Sequence, residues 1–107
     1  LQRLAPVLRF LRNNPRNFTT AELAAMCSLS PSRFLAVFRE ATGASPHACR
    51  DRLRYGEACR LLMVGDRSIS EIAEHLGYGD IYHFSRKFKS MSGVSPRTFR
   101  ERARKRS

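Results

Sequence analysis

Apolar residues recur along the chain at steps of three and four, and the runs are separated by glycine, proline and small polar residues. Leu4, Val7, Leu8 and Leu11 form the first run, with Arg3, Arg9 and Arg12 largely off it. Leu23, Met26 and Cys27 face one way in a second, and Phe34, Phe38 and Ala41 in a third. A longer fourth run holds Cys49, Leu53, Ala58, Leu61 and Leu62. Ile69 and Ile72 begin a fifth, Ile81, Phe84, Phe88 and Met91 share the face of a sixth, and Phe99 and Ala103 mark a seventh. Steps of three and four are the signature of amphipathic helices. The pattern predicts an all-α chain of about seven helices.

The punctuation agrees with that division. Pro6 belongs to a first turn, so the first helix starts near Ala5, and Asn13, Asn14 and Pro15 stop it. Thr19 with Glu22, and Ser68 with Glu71, have the spacing of capping boxes. Ser30 caps a helix whose first residue is Pro31; Asp80 caps its counterpart; Gly43 and Gly93 end the two. Ser28 and Leu29 make the turn before the first of these helices, and Gly77 and Gly79 break the chain before the second. Ser45 and Pro46 open the long fourth helix, predicted to run to Val64 before Gly65. Gly56 inside it costs roughly 1 kcal/mol relative to alanine, which packing must offset.

The helices form a repeat. Phe34 and Phe84, Phe38 and Phe88, Gly43 and Gly93, Ser45 and Ser95, and Pro46 and Pro96 all stand 50 positions apart. Upstream of the turn the spacing is 49, as for Thr19 and Ser68 or Glu22 and Glu71; one extra residue near Gly79 accounts for the slip. Two units without a third indicate a duplicated module rather than a solenoid. In each, a short helix, a tight turn and a longer helix with a polar outer face describe a helix-turn-helix. The predicted organisation is a first subdomain over residues 1–45, a linker helix over 46–64 and a second subdomain over 65–107.

Charge narrows the function. With 20 Lys and Arg against 9 Asp and Glu, the formal net charge is +11 over 107 residues. Basic residues spread over several helices suit a polyanion such as nucleic acid; an anionic membrane surface and simple solubility are the alternatives. No run approaches the ~20 apolar residues of a membrane span, and Arg3, Arg9 and Arg12 interrupt any signal-peptide core. A start at Leu1 rather than Met reads as a piece of a longer protein. Cys27, Cys49 and Cys59 form no C-x-x-C pair and read as reduced, partly buried small residues. His47 and Cys49 have no second pair at zinc-site spacing, so neither a metal nor another cofactor is expected. The chain also lacks a nucleophile triad and a phosphate-cradling glycine loop, which argues against an enzyme. The other rival is a helical protein-interaction module without sequence-specific DNA readout.

The stretch IAEHLGYGDIYHFSRKFKSMSGVSPRTFR resembles the DNA-binding domain of the AraC/XylS family of bacterial transcription regulators. Ile72, Ala73, Gly77, Tyr78, Phe84, Ser85, Phe88, Lys89, Gly93, Ser95, Pro96 and Arg100 carry the likeness, which extends from about Pro6 to Arg102. Ser28 departs from it, standing where a turn glycine is often found. The resemblance implies sequence-specific binding of double-stranded DNA, with two recognition helices in adjacent major grooves, and regulation of transcription initiation in the bacterial cytoplasm. It also implies RNA polymerase as a further partner and an effector-binding or dimerisation domain outside this segment. A linker of 19 positions at ~1.5 Å per residue spans about 28 Å, comparable to the ~34 Å between successive grooves on one face.

With the phenylalanines fixing the inner faces, the outer faces follow. They are Ser32, Leu35, Ala36 and Arg39 in the first recognition helix, and Tyr82, Ser85, Arg86 and Lys89 in the second, with Arg33 and His83 flanking. Arg86 suits a bidentate contact to guanine, Ser85 a base or phosphate, and Tyr82 a sugar or thymine methyl. Leu35 and Ala36 offer apolar contact, chiefly with thymine methyls; Leu35 alternatively packs on the linker or faces nothing. Arg39 and Lys89 are either phosphate contacts or solvated charges. Arg102, Arg104, Lys105 and Arg106 are either a solvated end or extra phosphate contacts. Tyr78 belongs to the core, and Glu22 and Glu71 to capping.

Overall fold

The computed structural model describes residues 2–13 and 17–105. Among them are seven α-helices and no strand: α1 (Ala5–Asn13), α2 (Thr20–Met26), α3 (Pro31–Thr42), α4 (Pro46–Met63), α5 (Ile69–His75), α6 (Ile81–Ser92) and α7 (Pro96–Lys105). A single 3-10 turn, Gln2–Leu4, leads into α1. The predicted stop at Asn14 and Pro15, and Arg106 of the basic end, lie outside the described residues.

The chain divides into two compact units, Leu1–Leu53 and Arg54–Ser107, and each has its own core. In the first, Leu4, Val7 and Leu11 of the amino-terminal segment pack with Leu23, Ala24, Phe34 and Phe38, and Cys49 and Leu53 of α4 lie against them. In the second, Ala58, Leu61 and Leu62 of α4 take the part that α1 takes in the first, and Phe99 of α7 the part of Cys49. The long helix thus serves both cores, one with each half. Buried apolar surface at ~25 cal/mol per Å² is what holds such small units, and fully buried Phe34, Phe38 and Phe84 carry the largest shares.

Local chemistry sets the ends. Thr19 and Ser68 both form complete capping boxes: Glu22 N–H donates to Thr19 Oγ1 at 3.1 Å and Glu71 N–H to Ser68 Oγ at 3.0 Å, while each glutamate accepts from the cap's own N–H. That contact, with the Ser68 backbone N–H donating at 2.8 Å, holds the Glu71 carboxyl below the usual carboxylate range. Both short helices end alike. Leu29 N–H donates to Ala24 O and Ser28 N–H to Ala25 O, matched by Tyr78 N–H to Ala73 O and Gly77 N–H to Glu74 O. This is a Schellman ending, and it places its next residue in the left-handed region. Gly77 takes φ 85° there freely, but Ser28 is forced to φ 56°.

Two expectations change. Ala41 and Met91, predicted on the core faces of their helices, are exposed. Both lie in the last turn of a twelve-residue helix whose seven-residue partner, α2 or α5, covers only part of its length. Met26 faces inward as expected, half-buried against the first core, and Ala24 is buried beside Leu23. The long helix ends at Met63, so Val64 is outside it and half-exposed.

Candidate nucleic-acid interface

In each unit one helix turns a polar stripe to solvent. Ser30, in extended conformation, accepts from Arg33 N–H through its hydroxyl (3.3 Å) and starts α3 at Pro31. Asp80 does the same for α6, accepting from His83 N–H at 2.7 Å. With Phe34 and Phe38 locked inward, Ser32, Arg33, Leu35, Ala36 and Arg39 are all exposed. With Phe84 and Phe88 inward, Tyr82, His83, Arg86 and Lys89 are exposed and Ser85 is half-buried. Tyr82 shows 72% of its surface, a large aromatic left uncovered, and Leu35 shows 41%.

Many of the chain's positive charges are occupied within the fold. Arg60 pairs with Glu57, and Arg97 with Glu101 at 3.4 Å. Arg100 donates from Nε to Leu62 O at 3.1 Å, and Arg104 donates to Gly65 O, so α7 satisfies a carbonyl of the last turn of α4 that the helix itself cannot and another in the turn that follows. Arg50 lies over the Phe18 ring and Arg54 over the Tyr78 ring, each 4.8 Å from the centroid. By contrast Arg33, Arg39, Arg86 and Lys89 enter no side-chain hydrogen bond or ion pair among the described residues. These four cations of α3 and α6 are left to solvent, as Arg9, Arg12, Arg52 and Arg102 are on other helices.

Arg54, Arg50 and Arg100 are roles the sequence pattern did not single out as structural. Tyr78 is half-buried against the second core, with Phe84 5.2 Å away centroid to centroid. His47 stacks on Phe18 at 4.6 Å rather than facing Cys49. Burial pushes the Cys27 and Cys59 thiols up from their ordinary pKa, which keeps them as packing groups rather than nucleophiles. Among the described residues no cluster of His, Cys, Asp or Glu has the make-up of a metal site, and no helix is long and apolar enough to cross a membrane.

The pattern of a family described as a helix-turn-helix domain matches residues 23–102, across both units. The DNA-binding domain of AdpA, a global transcriptional factor solved in complex with a target DNA, superposes with a TM-score of 0.88 at 31% identity, covering 96% of this chain and 94% of that one. The chain belongs to the AraC/XylS family. Among curated relatives of this AraC-type domain, the MmsAB operon regulatory protein of Pseudomonas aeruginosa is 38% identical over 82 residues, 77% of this chain and 27% of that protein. The arabinose operon regulatory protein of Escherichia coli is 37% identical over 84 residues, 78% of this chain and 29% of that protein. The chain thus spans less than a third of these AraC-type relatives. Both are operon regulatory proteins by name.

Proposed function

We propose that this chain is the sequence-specific double-stranded DNA-binding domain of a bacterial transcription regulator, with α3 and α6 reading neighbouring major grooves. The observation that carries this is the likeness, over 96% of the chain, to a domain solved on its target DNA. The exposed Arg33, Arg39, Arg86 and Lys89 of α3 and α6 support it, because such stripes offer cations to phosphates beside small polar groups that can meet base edges. In this reading Arg86 makes the bidentate guanine contact, Ser85 bonds a base or phosphate, and Tyr82 packs on sugar or a thymine methyl. Ser32, Leu35 and Ala36 read the first groove largely by shape and methyl contact. Arg33, Arg39, His83 and Lys89 hold phosphates or adjacent bases, fixing register without carrying most of the sequence information. The remainder of the protein supplies effector binding or dimerisation, RNA polymerase is a partner at the promoter, and the whole acts in the cytoplasm.

Selection of random duplex DNA by the 107-residue chain at fixed salt tests the proposal. The expected product is a site with two sequence blocks about one helical turn apart, bound with an affinity that falls steeply as salt rises through counterion release. Binding that is insensitive to salt, or selection without enrichment of any sequence, would overturn it in favour of a protein-interaction module.

A further inference from the structure

Arg54 projects from α4, yet its surroundings lead to α6. Its side chain is 8% exposed, the one buried charged residue in the described part of the second unit. Its guanidinium lies 4.8 Å over the ring of Tyr78, in the turn between α5 and α6. The Tyr78 ring meets the His83 ring edge-on, at 5.3 Å and 89°, and the Phe84 ring at 5.2 Å. His83 sits in the first turn of α6, its backbone N–H held by Asp80. Cation, phenol ring and imidazole therefore form one stack from the long helix to the exposed amino-terminal turn of α6. A cation–π contact out of water is among the stronger ways to fix a ring, and edge-to-face aromatic pairs prefer one geometry. The first unit stacks Arg50, Phe18 and His47 away from its recognition helix, and the positions that match Tyr78 and His83 carry no rings. Leu29 stands at the place of Tyr78 and Arg33 at that of His83, by the spacings of the repeat.

We propose that Arg54 is a positioning residue for DNA reading by α6: it clamps Tyr78, Tyr78 fixes the His83 ring, and base preference opposite the first turn of α6 depends on that orientation. Arg54 itself touches no base. The inference rests on the DNA-binding function proposed above and adds to it a residue outside both recognition helices. A buried arginine also stabilises by packing alone, so the test must separate position from stability.

Two measurements do so on the 107-residue chain. The first needs no DNA: the imidazole proton shifts of His83 by NMR in the wild type, Arg54→Lys, Arg54→Leu and Tyr78→Leu. Tyr78→Leu should bring them to free-histidine values and Arg54→Leu should move them part of the way, while Arg54→Lys, which keeps a cation over the ring, stays near wild type. The second is affinity for the selected site carrying each single-base change in both blocks. Arg54→Leu should flatten the preference in the α6 block by about threefold to tenfold at one position and leave the α3 block unchanged; Arg54→Lys should restore it. The α3 block is the internal control, since loss of folded protein lowers binding to every site alike. Unmoved His83 shifts in Arg54→Leu, or both blocks weakening in parallel, would overturn the proposal. Should Arg54→Leu not fold, Tyr78→Leu against Arg54→Lys gives the same contrast. A wild type without base preference in either block would remove the DNA-binding reading, and the positioning role with it, whatever the NMR shows.

Discussion

The two units carry the same scaffold and different surfaces. Capping box, Schellman ending, paired phenylalanines and left-handed glycine recur in both, almost bond for bond. Between them Ser32 becomes Tyr82, Arg33 becomes His83, Leu35 becomes Ser85, Ala36 becomes Arg86, and Arg39 becomes Lys89. The fully buried positions of these helices keep their phenylalanines while the outward ones change chemistry. Inside, a change of shape opens a cavity; outside, it changes only what the helix can meet. The first helix keeps two cations and an apolar middle, and the second gathers hydrogen-bonding groups in its middle. We expect the second to discriminate bases more sharply.

If the scaffolds are equivalent, equal cuts should cost the same. Phe34→Ala and Phe84→Ala each remove a ring with no more than 1% exposure, and each should destabilise by about 3–5 kcal/mol. Hydrogen exchange should report protection lost first in α2 and α3 for the one and in α5 and α6 for the other. A loss under about 1 kcal/mol at either site would break the equivalence.

The difference in surfaces gives the next effect. Arg86→Ala should lower discrimination for guanine at one position of the second block by about 1–3 kcal/mol, read as the ratio of affinities for the selected and substituted sites. Ala36→Arg, the reciprocal change, should create a guanine preference in the first block. Loss of guanine dependence at no position in Arg86→Ala would sink the assignment of that residue. Because both side chains are exposed, neither change should alter the melting temperature appreciably.

Between these and the smallest effects lies the turn. Ser28 holds φ 56° where its counterpart Gly77 holds φ 85°, and an L residue in that region costs roughly 1–2 kcal/mol. Ser28→Gly should therefore stabilise the first unit, less the extra freedom glycine gains when unfolded, for a net gain of about 1 kcal/mol or less. Gly77→Ser should lose a similar amount from the second. Urea midpoints at constant slope would measure both. Ser28→Gly with no gain would mean the hydroxyl side chain already compensates its backbone.

What the sequence disclosed and what it concealed follow from the same physics. Caps and glycines act within four residues, so Thr19, Ser30, Ser68, Asp80, Gly43 and Gly93 were legible one by one. The duplicated spacing then supplied the topology, and subtraction of the core faces supplied the outward stripes. Periodicity gives the direction of a side chain but not the depth of what covers it, and so Ala41 and Met91 were placed inward although their partner helices stop short. Nor does it reveal which charges the fold consumes. Arg54 and Arg100 look like Arg39 in the sequence, and only the approach of Tyr78 or of the α4 carbonyls distinguishes them. The net charge of +11 consequently overstates what is available to a polyanion.

The subtlest contrast is in the two caps. Ser30 and Asp80 do the same backbone work, each accepting an N–H three residues on, and serine and aspartate cap about equally well. They differ in charge: Asp80 sets an exposed carboxylate at the amino terminus of α6, the helix proposed to enter the groove. A helix amino terminus attracts anions, and a carboxylate already there satisfies it. Asp80→Ser should thus cost a few tenths of a kcal/mol in stability, because a favourable charge–dipole contact goes, yet raise affinity for DNA of any sequence by up to about fivefold at low salt. Ser30→Asp should do the reverse in the first unit. The effect must shrink as salt rises, since it is electrostatic. Equal affinities of Asp80→Ser and wild type at low salt would show that the carboxylate is turned away from phosphate. Any difference in phosphate contact between α3 and α6 would then have to come from their side chains alone, and the sharper base discrimination expected of α6 would rest on Arg86 rather than on the cap.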